Sequence, residues 1–70
     1  MNAEQIVLAE IERLHGAGLE FVTFEQLRPA FPSEAHAAML GHALLILHAE
    51  SKIEIKREDG KTFFYKTPGK

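Results

Sequence analysis

The sequence contains no cysteine. Disulfides, thiolate-bound metal and cysteine nucleophiles are therefore excluded together. No apolar run approaches the roughly 18 to 20 residues needed to cross a bilayer. The start, Met1-Asn2-Ala3-Glu4-Gln5, lacks the basic stretch of a secretory signal, so the expected setting is the cytoplasm. Glycine-rich phosphate loops are missing, and no nucleophile has an evident partner, which argues against an enzyme, a cofactor or a small-molecule substrate. There are no internal repeats and no low-complexity segment. What remains is an ordinary globular composition over 70 residues, 46% apolar and 26% charged, enough for one small domain. A chain of this length buries only about 60% of the surface it exposes when unfolded, so the core is modest.

Charge is unevenly placed. Residues 1–51 carry seven acids against two bases, a balance of -5, and residues 52–70 carry six bases against three acids, a balance of +3. The sum is the formal net charge of -2. An acidic body with a basic end is not the distribution of a protein that binds nucleic acid over its whole surface.

The order of elements is legible. Asn2 and Gln5 stand at capping-box spacing before a first helix over 3–15, in which Val7, Ile11 and Leu14 recur on one face. Gly16 and Gly18 end it. A short strand is expected over 19–22. Thr23 opens a second helix over 24–29, with Gln26 at the capping-box position, and Pro29 and Pro32 stop it. Ser33 caps a third helix over 34–49, whose Leu40, Leu44 and Leu47 form one stripe flanked by Met39, Ala43 and Ile46. Over 52–67 the pattern is a hairpin: Ile53 and Ile55 alternate with charged residues, and Asp59-Gly60 is a primed-turn signal. Three helices, a short first strand and a C-terminal two-stranded hairpin define an α+β fold, in the order of a single winged helix.

Winged helices most often bind duplex DNA, with the third helix in the major groove and the hairpin wing on backbone or minor groove. Such binding needs Lys or Arg for phosphates, and Arg, Lys, Asn or Gln for base edges. The third helix holds none of these four residue types, and no base occurs between Arg28 and Lys52. Glu34 lies near the end that would approach phosphates. The residues left for DNA are Ser33, His36 and His42 on the helix with Lys56, Arg57 and Lys61 on the wing. The wing bases read as a phosphate clamp or as a solvated tip that discourages edge pairing, and the second reading is preferred. Phe63, Phe64 and Tyr65 invite a stacking role, but core filling is the simpler account in so small a domain.

At about 100° per residue, Ala38, His42, Leu45 and Ala49 fall opposite the Leu40 stripe. The side of the helix that should be solvated thus carries an apolar strip. It reads as a partner surface, suited to an amphipathic helix, or as ordinary exposed alanines and a single leucine. A homodimer would cover the strip and present two wings.

His36, His42 and His48 are each six residues apart. Successive side chains are therefore rotated by about 240° and cannot converge on one ion from a single helix. No metal site is expected.

The stretch Ala43 to Ile55 contains Ala43-Leu44, Leu47, Glu50, Lys52 and Glu54-Ile55, followed by Gly60 and Phe63-Phe64. With the Gly16 turn and Phe21-Val22-Thr23-Phe24 leading to Leu27, this skeleton resembles the C-terminal winged helix of the small ESCRT-II subunit of the vacuolar protein sorting machinery. The resemblance covers most of residues 7–64, with a shorter loop around Pro29 to Ser33. It departs from the family in spanning one winged helix, where the subunit has a first that attaches it to its complex. The resemblance implies a protein-interaction module that recruits a partner, the ESCRT-III subunit that starts filament assembly, in endosomal sorting. No family motif marks contact residues, so the candidates remain Ala38, His42, Leu45 and Ala49. The alternative is a small DNA-binding winged helix-turn-helix protein acting as a transcriptional regulator.

Overall fold

Two reciprocal capping boxes and a tight hairpin turn set the frame of the chain, for which a computed structural model describes residues 2–68. The elements run α1 (Ala3–Gly16), β1 (Val22–Thr23), α2 (Phe24–Leu27), a 3₁₀ turn (Arg28–Ala30), α3 (Glu34–Ala49), β2 (Ile53–Glu58) and β3 (Lys61–Lys66). The architecture is α+β, three helices with a three-stranded antiparallel sheet in the order β1-β3-β2. Among the described residues, no helix is long and apolar enough to cross a membrane.

The start of α1 is fixed as the sequence predicts. The Asn2 side chain accepts the Gln5 N–H at 2.9 Å, and the Gln5 side chain accepts the Asn2 N–H at 3.2 Å. Two of the amides that a helix start leaves open are satisfied this way. At the other end Gly18 takes φ +103°, and the amides of Gly18 and Leu19 donate to the carbonyls of His15 and Leu14, both at 3.0 Å. This is a Schellman closure. It also explains why the strand is shorter than the expected 19–22: the Leu19 amide is engaged in ending α1, and pairing with β3 begins only at Val22.

Thr23 serves two elements at once. Its extended backbone pairs with Phe63 in the sheet, while its hydroxyl accepts the Gln26 N–H at 3.2 Å and opens α2. The second helix was expected to reach residue 29, but after Leu27 it tightens into the 3₁₀ turn. Pro29 forces this, because its ring crowds the carbonyl four residues earlier and it has no amide to continue the ladder. Ser33 then caps α3, accepting the His36 N–H at 3.0 Å.

α3 ends in a second Schellman closure, in which Ser51 and Lys52 donate to the carbonyls of His48 and Leu47 at 3.0 and 2.9 Å. The left-handed position is here a serine, Ser51 at φ +60°. The hairpin follows. Asp59 and Gly60 at φ +52° and +75° link the closing pair Glu58 and Lys61, the geometry of a primed two-residue turn.

α1 and α3 lie against the inner face of the sheet around one core. Val7 and Ile11 of α1, Leu40, Ala43, Leu44 and Leu47 of α3, and Val22, Ile53 and Phe64 of the sheet are buried with Leu27 and Phe31. Among the described residues no polar or charged residue is buried. Each large side chain removed from water here contributes about 1.5–3 kcal/mol. Of the three consecutive β3 aromatics only Phe64 enters this core. Phe63 and Tyr65 are half-buried on the other side of the strand, where the Tyr65 and Phe21 rings meet in a T-shaped pair at 5.2 Å between centroids.

Candidate functional site

The side of α3 turned away from the core follows from its period. With Leu40, Leu44 and Leu47 anchored inward, residues about half a turn away must face outward. Ala38, His42, Leu45 and Ala49 are all exposed, and Leu45 keeps 66% of its surface accessible. Ala35 extends the row by one turn and is exposed as well. The structure therefore brings the four strip residues together on one face.

Beside the strip, Met39 is 48% exposed rather than packed against the core as a flank of the leucine stripe. It stands about 100° from Leu40, and the core closes before reaching that angle. Met39, Ala38 and His42 line one wall of an open groove of about 580 Å³, and Ala3, Ile6 and Phe31 line the other. Sequence periodicity alone could not reveal this groove, because its walls come from segments some thirty residues apart in the chain. The available signal was Ile6, an apolar residue beside the Val7–Ile11 stripe.

The wing residues are arranged differently. Lys56 is held 3.1 Å from the Glu58 carboxylate, and its ammonium lies 4.8 Å from the centre of the Phe21 ring. Lys61 is the cross-strand partner of Glu58, and so shares its side of the hairpin with Lys56. Arg57 alternates to the opposite side, so the three bases do not form one patch. Lys52 and Lys66 are also paired, with Glu50 at 3.4 Å and with Glu12 respectively. Among the described bases of the hairpin and its approach, only Arg57 and Lys61 lack an ion pair. The basic end seen in the sequence is in large part neutralised locally.

Of the remaining nucleic-acid candidates, Ser33 is engaged as the α3 cap, and His36 is exposed one turn on, at the rim of the groove. His42 belongs to the strip. Among the described residues, no three His, Asp or Glu side chains gather closely enough to hold a metal ion. On α1 the Arg13 hydrogen bonds at 2.9 and 3.0 Å hold the Glu10 carboxyl below its ordinary value. Comparison with protein-family models, with curated proteins and with solved structures finds no match.

Proposed function

We propose that the chain is a non-enzymatic winged-helix module that docks a partner protein on the outward face of α3. The observation that carries this reading is the exposed row Ala38, His42, Leu45 and Ala49 on a helix with no Lys or Arg. A helix from a partner fits such a face: the alanines let its backbone approach closely, Leu45 supplies the apolar anchor, and His42 supplies one polar contact. Burying an anchor of this kind contributes about 1.5–3 kcal/mol. The element order, and a β3 strand flanked by β1 and β2, support the winged-helix part of the reading. The resemblance to the small ESCRT-II subunit supplies a setting, recruitment of a partner in endosomal sorting from the cytoplasm.

A second reading, a small DNA-binding regulator, draws on Arg57 and Lys61, which have no ion pair among the described residues. The two readings separate by mutation. Under the first, Leu45→Glu abolishes partner binding and leaves the circular-dichroism spectrum and melting temperature near wild type. Loss of the fold on that change would make Leu45 a core residue and remove the docking face. Under the second, replacing Arg57 and Lys61 by Ala weakens duplex binding and flattens its salt slope by about one to two units.

A further inference from the structure

We propose that the helix docked on this face is α3 of a second copy of the chain, packed antiparallel about a two-fold axis. This rests on the reading of α3 as a protein-docking surface. The outward residues Ala35, Ala38, His42, Leu45 and Ala49 are separated by 3, 4, 3 and 4 positions, the spacing of a coiled-coil seam. All five are exposed.

One antiparallel register makes the seam complementary to itself. It sets Ala35 opposite Leu45 of the second copy and Ala38 opposite His42 of the second copy, and the two-fold axis repeats both pairs. The four layers so formed each join a small side chain to a large one, so the helices approach closely over them, while Ala49 lies beyond the start of the second copy's α3. On one flank Met39 meets its own counterpart near the axis. On the other flank the same register brings Glu34 to His48 of the second copy, once at each end. An imidazole N–H donates to the carboxylate there, and both side chains are exposed and free of ion pairs among the described residues. Between Glu34 and Glu50 the helix carries no Lys, Arg, Asp or Glu, so the acidic body brings no like charge into the seam. Other arrangements do worse. A parallel pair opposes Leu45 to Leu45 and His42 to His42, and sets Glu34 beside Met39 of the second copy instead of His48. Shifting the antiparallel pair by one heptad layer opposes His42 to Leu45 and Ala38 to Ala49, and leaves Glu34 without His48.

Sedimentation equilibrium on the full chain tests this. The expected result is a reversible species of twice the 7.8 kDa chain mass. Leu45→Glu, or Ala38→Glu as an independent second variant, should raise the dissociation constant by about a hundredfold or more while the fold persists. His48→Glu should weaken the dimer by about tenfold, and adding Glu34→Lys to it should restore the dimer by exchanging the charges across the seam. A wild-type chain that stays monomeric up to about 1 mM would overturn the proposal while leaving the face open to a different protein. A dimer that persists in both Leu45→Glu and Ala38→Glu would place the contact elsewhere and overturn the proposal, again leaving the face open to a different protein. Failure of Glu34→Lys to rescue His48→Glu would overturn the register.

Discussion

α1 and α3 bury similar faces but turn opposite kinds of surface outward. Over its 14 residues α1 carries Glu4, Glu10, Glu12 and Arg13, and its exposed side shows an ion pair between Glu10 and Arg13 and a second from Glu12 to Lys66. Over 16 residues α3 carries one formally charged residue, Glu34, and the rest of its exposed side is alanine, histidine, leucine and methionine. Both helices are held inward by the same means, aliphatic side chains on a single core. Only α1 is finished as a helix facing water. A helix apolar nearly all round belongs in contact on more than one side, and the fold covers just one side of α3.

The sharpest way to break this contrast is to truncate each face of α3 in turn. Leu40 and Leu47 are fully buried, so Leu40→Ala or Leu47→Ala should destabilise the chain by about 2–5 kcal/mol through lost transfer energy and a residual cavity. Leu45→Ala should change stability by no more than about 0.5 kcal/mol when measured at low micromolar concentration, where any association is minimal. Equal losses at Leu45 and Leu47 in denaturant titrations would erase the distinction between the two faces.

The ends of α3 give intermediate effects. Ser33→Ala removes the acceptor for the His36 amide and should lower stability by about 1 kcal/mol. Ser51→Gly should do the reverse. Ser51 sits at φ +60°, where a side chain is crowded and glycine is not, so the change should stabilise by roughly 0.5–1 kcal/mol and raise the melting temperature. A lowered melting temperature for Ser51→Gly would contradict the left-handed closure of the helix.

The smallest effect belongs to the solvated face of α1. The Arg13 guanidinium holds the Glu10 carboxyl below its unfolded value, so the pair adds stability above the ordinary carboxylate range, lost as pH falls through the lowered folded value. Arg13→Ala should therefore move the Glu10 titration upward in an NMR pH series with little change in global stability, since the pair is solvent-exposed. An unmoved Glu10 titration would show that the pair is not formed in solution.

Much of the frame was legible because local chemistry determines it. Asn2 with Gln5, Thr23 with Gln26, and Ser33 each mark a helix start through a bond made within three residues. Asp59-Gly60 marks the hairpin because few other pairs accept two positive φ angles. The strip Ala38, His42, Leu45 and Ala49 was legible because a helical period fixes the outward side once the leucine stripe is known. The misses have non-local or silent causes. Leu19 looks like strand until its amide is committed to closing α1. Ser51 carries no compositional signal for a left-handed residue. The groove between Met39 and Ile6 exists only after the helices are placed in space, whereas the turning of Arg57 away from Lys56 already follows from the period of a strand.

The central claim is that the outward face of α3 meets protein rather than nucleic acid. An amide-resolved NMR titration with random duplex DNA at low salt tests it most directly. The account predicts that the amides over 33–42 and 57–61 stay unmoved. Shifts confined to those two segments, and reversed by added salt, would contradict it and make DNA binding the function.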